Sequence, residues 1–277
     1  METRRDLLRE LRLRLGLPLQ AVRMASVGAS HSPSSLLRLT REASGLLLAG
    51  AALWALVVWL ATNMGFMPGS MGLGLPAFVG VWALMMAAMM LPAVAPVAGA
   101  YSRSFKQRRR RQLVEFASGY LLVWAGSGLP AFAGALLVDR LSGLNTFAPR
   151  AVAAGALVAV AAYQLTPLKR MCLDHCRSPL SQLLHYAGFR GRLRDLRVGM
   201  HHGAFCLGCC WALMLVLIAL GTMNVFVMLG LVAVVVLEKY TTHGEALSQL
   251  VAVVAVALAV AAVAVPQAGL GAPAMSM

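Results

Sequence analysis

Residues 199–239 read GMHHGAFCLGCCWALMLVLIALGTMNVFVMLGLVAVVVLEK. No Asp, Glu, Lys or Arg interrupts them before Glu238, and only Gly221 and Thr222 offer a turn near the middle. A helix needs roughly 20 apolar residues to cross about 30 Å of hydrocarbon. The stretch therefore reads as two membrane-spanning helices, about 200–220 and 222–238, joined by a tight turn.

Working outward from it, the rest of the chain agrees. Of 277 residues 60% are hydrophobic and 12% charged, and the mean hydropathy is +0.75. A water-soluble domain carries about a quarter charged residues, so composition places the chain in a bilayer. Five further stretches have spanning length: about 44–62, 75–98, 113–138, 149–168 and 246–265. The expectation is an all-α, polytopic transmembrane bundle of about seven spans.

Charge sets its orientation. The formal net charge of +14 comes from 24 Lys and Arg against 10 Asp and Glu. Nearly all the basic residues fall on alternate connections: the N-terminal segment, the loop with Arg103, Lys106 and Arg108 to Arg111, and the loop from Lys169 to Arg197. The positive-inside rule then predicts a cytoplasmic N-terminus and a multi-pass protein of the inner (cytoplasmic) membrane, with the lipid bilayer as its first partner.

Residues 1–43 form a separate cytoplasmic segment. Leu7, Leu8, Leu11 and Leu15 recur at helical spacing between Arg5, Arg9, Arg12 and Arg14, the pattern of a basic amphipathic helix on anionic headgroups. Residues 44–265 are expected to form the transmembrane domain, and 266–277 a short tail. The last span is Ala- and Val-rich and reads as lipid-facing packing. Small-residue spacings such as Gly45/Ala49 and Gly126/Pro130 permit helix association.

All five cysteines lie between 172 and 210: Cys172 and Cys176 in CLDHC, then Cys206, Cys209 and Cys210 in CLGCC. An odd number of cysteines, clustered on the basic side, argues for reduced thiols rather than disulfides. Cys172 and Cys176 stand i,i+4, and so do His202, Cys206 and Cys210, so each set shares a helix face. Two such stripes at one depth fit a thiolate metal site, with Cys172, Cys176, Cys206 and Cys210 as ligands, Cys209 in reserve, and His201 or His202 able to replace one sulfur.

Methionines extend the pattern. Met85, Met86, Met89 and Met90 form two i,i+4 pairs on the second span. Met64, Met67 and Met71 stand in the turn before it, and Met223, Asn224 and Met228 near the start of the sixth span. Each alone is packing, since Met fills gaps between helices. Together they trace thioethers leading to the thiolates. Thioether with thiolate selects Cu(I); Zn²⁺ needs only the cysteines.

The segments MMAAMMLPAVAP (85–96), YQLTPLKRMCLDHCRSP (163–179) and residues 199–239 resemble the signature of a bacterial and archaeal family of predicted metal-binding integral membrane proteins, in places described as copper chaperones. The resemblance implies that Met85, Met86, Met89, Met90, Cys172, Cys176, His201, His202, Cys206, Cys209, Cys210, Met223 and Asn224 occupy its motif positions. Val227 departs from it, where an aromatic residue is expected.

Around these motifs, Tyr163, Gln164 and Thr166 are expected either to bond neighbouring backbone or to support the thiolates. Glu238 and Lys239 are expected to pair as a helix-end lock, and Trp211 to shield the site. Lys169, Arg170 and Arg177 add positive charge that favours thiolates. The function this implies is Cu(I) handling, by transport or by holding the ion for a cuproenzyme or soluble metallochaperone. The alternatives are a structural Cys-rich zinc site and, least favoured, a thiol oxidoreductase. No catalytic residues are expected. Nucleic-acid binding is excluded by basic residues that lack interleaved aromatics, and ATP-driven transport by the absence of a GxxxxGK[ST] loop or a pump's phosphorylated-aspartate motif.

Overall fold

The computed structural model describes residues 41–64, 69–103, 109–145, 147–177, 182, 185–186, 188–241 and 244–264. The amphipathic segment before Arg41, the tail from residue 265, Met67 and the side chain of Met64 lie outside these. Among the described residues the regular structure is helical: α1 Arg41–Met64, α2 Leu75–Arg103, α3 Arg109–Gly126, α4 Gly128–Ser142, α5 Ala148–Gln164, α6 Pro167–Arg177, α7 Arg194–Leu220, α8 Val225–Tyr240 and α9 Gly244–Ala264.

Polar contacts fix the two ends of the bundle. Tyr101 Oη donates to Asp195 Oδ1 at 2.5 Å, which sets the last turn of α2 beside the first of α7 at the basic end. At the opposite end Gly69 N donates to Ile218 O at 3.1 Å, Thr222 Oγ1 donates to Gly69 O at 3.1 Å, and Ser70 N donates to Asp139 Oδ2 at 3.1 Å. The α1–α2 turn is thereby tied to the ends of α4 and α7. Such bonds are needed because irregular backbone has no water to bond within a membrane.

Two of the expected spans are broken, each at a proline. The 113–138 stretch is α3 followed by α4; Pro130 has no N–H for the carbonyl of Gly126, four residues back. Ser127 fills the break, since its Oγ accepts from Trp82 Nε1 at 3.0 Å and donates to Trp124 O at 2.6 Å. The 149–168 stretch ends at Gln164 and bends by 67° into α6. Thr166 caps α6, its Oγ1 accepting from Lys169 N at 3.2 Å, with Pro167 in the first helical position that suits proline.

Five segments are long and apolar enough to cross a membrane, six if the bent α5–α6 pair is one span. The seven-span expectation differs at α8. Its 16 residues cover only about 24 Å. It begins at the Asn224 cap, whose side chain accepts from Val227 N at 3.2 Å. It ends level with the middle of α2, where Tyr240 Oη donates to Ala93 O at 2.6 Å. The end of α8 therefore stands beside Cys206, well short of the first turn of α7. Arg177 of α6 closes over that end, Nη2 donating to Thr241 O at 2.6 Å.

The tightest helix contact joins α3 to α7. A Cβ at Gly199 would collide with the carbonyl of Phe116, one at Gly119 with the carbonyl of Leu196, and one at Gly203 would stand 3.1 Å from Val123 Cβ. Gly199 and Gly203 are a small-xxx-small pair that lets two backbones meet. Gly45 and Gly126, by contrast, face no neighbour within 4 Å in the single chain.

Candidate metal centre

The α3–α7 contact sets the depth of the cysteines. On α7 the sulfurs of Cys206, Cys209 and Cys210 lie within 4.8 Å of one another, all buried. Helix geometry explains this: i+3 and i+4 fall on either side of i, so the three form one arc of a single face. The thiols of Cys209 and Cys210 both donate to Cys206 O, at 3.1 Å and 3.0 Å.

Helix α6 brings the other two. Cys176, buried on α6, stands beside Cys209. Cys172 lies over Gly208, where an added Cβ would stand 2.9 Å from its sulfur. The glycine of CLGCC is thus the space that Cys172 occupies. The bend after Gln164 makes this possible, because a straight continuation of α5 would carry the CLDHC residues away from α7. Cys209, held in reserve by the sequence reading, is central: it belongs to the α7 trio and also meets Cys176.

Buried polar groups surround the sulfurs. Lys239 Nζ donates to Cys206 Sγ at 3.0 Å, and Tyr120 Oη lies 3.0 Å from the same sulfur. The expected Glu238–Lys239 lock is not formed, since adjacent residues on a helix point about 100° apart. Glu238 instead pairs with Lys169 Nζ at 2.7 Å, with both side chains nearly fully buried. It also accepts from Gln164 Nε2 at 2.8 Å and Ser248 Oγ at 3.1 Å. Lys169, read as a wet-side charge, is 1% exposed and ties α6 to α8.

Tyr163 donates to Gly208 O, pinning α5 to α7 beside Cys209. Both readings of the α5 polar residues therefore apply: Thr166 bonds local backbone, while Tyr163 and Gln164 brace the site. Trp211 packs edge-on against Tyr163, ring centroids 5.0 Å apart, and is 41% exposed. Its ring is as much a surface group as a shield.

His202 is buried and turned inward. Its Nδ1 is 2.9 Å from Tyr186 Oη, and its ring stands 5.9 Å from that of Tyr120. His201, one residue earlier, points to a different neighbourhood, with its ring 5.4 Å from His175 of α6. Tyr120 and Tyr186 had no motif to announce them, and the partners that Lys239, Lys169 and Glu238 take are not given by spacing. A charged residue within an apolar span is the signal that marks Glu238 and Lys239, because such residues face the protein interior and pair.

Met85, Met86, Met89 and Met90 are all fully buried on α2, as are Met223 and Met228, and Met71 is buried in the turn before α2. Ala93, to which Tyr240 is bonded, lies one helical turn beyond Met89 and Met90. Lys239, next to Tyr240, reaches Cys206. Tyr240 and Lys239 of α8 therefore reach the methionine helix and the thiols respectively.

Three to five convergent thiols fit a soft ion, either Cu(I) or tetrahedral Zn²⁺. A thiolate complex of either leaves excess negative charge, which Lys239 offsets in a buried setting. No curated protein and no solved structure matches the chain. The PpoB2 family, described as copper chaperone, matches residues 79–264, a range holding every cysteine and the α2 methionines, and the protein belongs to that family.

Proposed function

We propose that the protein is a membrane-bound Cu(I) chaperone of the inner membrane. Its basic end faces the cytoplasm, as the positive-inside rule requires. Cu(I) reaches the Cys206–Cys209–Cys210 trio from the methionines of α2 and Met223, is held there with Cys176 and Cys172, and passes to a cuproenzyme or soluble metallochaperone. No catalytic step is assigned to any residue. The observation that carries this reading is the trio of buried thiols within 4.8 Å of one another, with Lys239 3.0 Å from Cys206. The copper chaperone description of the family points the same way.

A structural zinc site is the competing reading, since thiols from α6 and α7 would also tie those helices through Zn²⁺. Elemental analysis of the purified, reduced protein separates the two. Copper near one equivalent is the expected result; zinc in its place favours the structural site, and no metal overturns both. The Cys206→Ser/Cys209→Ser variant should retain less than about a tenth of the sulfur-bound metal, because a serine hydroxyl is a poor ligand for a soft ion.

A further inference from the structure

Three imidazoles gather where α6 meets the first turns of α7, on the basic-end side of the thiols. The rings of His185 and His201 are 4.6 Å apart, those of His175 and His201 5.4 Å, and those of His175 and His185 6.3 Å. Phe205 stacks on His175 at 3.9 Å, and Phe189 stands 5.6 Å from His201, so aromatic walls enclose two sides. His185 is exposed, whereas His175 and His201 are partly covered.

We propose that His175, His185 and His201 form a second metal site, made of imidazole nitrogens alone, at the mouth of the thiol centre. Two observations carry it. The first is spacing. A metal–nitrogen bond of about 2.0–2.1 Å in tetrahedral geometry sets the ring centres of three histidine ligands roughly 5 Å apart, and the three separations here bracket that value. The nitrogens are not gathered within 4.8 Å of one another as the three thiols are, so binding requires the rings to turn inward, and His185, the exposed member, has the freedom to close the longest gap. The second is unmet bonding. His175 Nε2 and His201 Nδ1 are buried from solvent and have no hydrogen-bond partner among the described residues. Buried imidazole nitrogens ordinarily find one, and an ion held by the three rings would use both.

The two centres are contiguous in sequence. His175 precedes Cys176 on α6, and His201 stands five residues, about 7.5 Å along the axis, before Cys206 on α7. Imidazole accepts copper and zinc more evenly than thiolate does, and it releases them more readily than a thiolate cluster releases Cu(I). The site has the chemistry of a transfer station between buried sulfur and the solvent or partner at the basic end. That its cargo is copper rests on the function proposed above; the existence of the site does not.

The test uses the full chain in detergent micelles under reducing conditions, titrated with Cu(I) against a chromophoric chelator and, separately, with Zn²⁺. X-ray absorption then reports the ratio of nitrogen to sulfur donors. Wild type should bind one equivalent through sulfur and a further, weaker one through nitrogen. His175→Ala/His185→Ala should lose the nitrogen-bound equivalent and keep the sulfur-bound one. The single variant His185→Ala, at an exposed position that does not disturb folding, should weaken the nitrogen-bound equivalent by about tenfold or more. Unchanged stoichiometry and an unchanged nitrogen signal in His185→Ala overturn the proposal. In Cys206→Ser/Cys209→Ser the nitrogen-bound equivalent should persist. If that variant also keeps its sulfur-bound copper, the thiol reading falls while the imidazole site stands.

Discussion

The α2 methionines and the α6–α7 cysteines are both clusters of buried sulfur, yet their surroundings differ. Met85, Met86, Met89 and Met90 are wholly enclosed, and they lie in one apolar core with Phe78, Trp82 and Leu217. The cysteines are held among charges and hydroxyls: Lys239 and Tyr120 on Cys206, Tyr163 on the carbonyl of Gly208, and the Lys169–Glu238 pair that fixes α6 to α8. Burying such groups in a bilayer is costly unless each has a partner. The thiols share that apolar core, but among the described residues only they carry such polar partners, and that expense distinguishes a place where an ion rests from a surface it passes or merely a packed core. Perturbing the polar frame should therefore have large effects, and perturbing the methionines small ones.

The largest loss of stability is expected at Glu238. Glu238→Gln keeps the volume but leaves the Lys169 ammonium without its carboxylate, 2.7 Å away in the native protein. Removing one partner of a buried pair typically costs about 3–5 kcal/mol. Thermal unfolding in detergent should show the loss, and the variant's metal affinity should fall with it because α6 carries Cys172 and Cys176. A second change, Lys169→Met in the Glu238→Gln background, removes the orphaned charge and should recover much of the stability. No recovery would mean that the pair is not what holds α6 in place.

A smaller effect is expected where the frame admits a sulfur. At Gly208 an added Cβ meets Cys172 Sγ at 2.9 Å, so Gly208→Ala must displace that sulfur or shift α6. Overpacking of this kind typically costs about 1–3 kcal/mol. The number of sulfur donors at the bound ion, read by X-ray absorption, should change while α7 and its three thiols remain. Gly230→Ala is the control, as nothing stands within 4 Å of the Cβ it would add.

These two residues also show what the sequence makes legible. The bilayer class, the helix positions and both sulfur clusters follow from hydropathy and i,i+4 spacing, which are local properties. Cys209 was undervalued because spacing along α7 orders its thiols relative to one another but not relative to α6. Which of them faces Cys176 depends on a 67° bend whose direction no periodicity encodes. Lys169 counts as a loop charge for the same reason: a basic residue one place beyond a predicted span end reads as wet, and only the bend buries it. The Gly199–Gly203 contact is present as a motif in GMHHG, but its partner on α3 is a matter of tertiary packing. The shortness of α8, 16 residues, is not legible either, because an apolar run looks the same whether it crosses or stops partway.

The smallest structural effect is expected at the methionines, where the comparison is most open to failure. Met85→Leu/Met89→Leu keeps the volume and the helix propensity, and volume-conserving swaps usually cost less than about 1.5 kcal/mol. Because both side chains are fully buried, the fold should tolerate the change only if leucine fits the same space, which the unfolding temperature checks first. Purified variant loaded directly with Cu(I) should then hold as much copper as wild type, since the thiols and their polar frame are untouched. Copper loading in cells should be slower, because an ion crossing an apolar interior without donor atoms meets a steep barrier. If loading is as fast as in wild type at equal expression, the α2 methionines are packing. Copper must then reach the thiols from the basic end, where the three histidines stand.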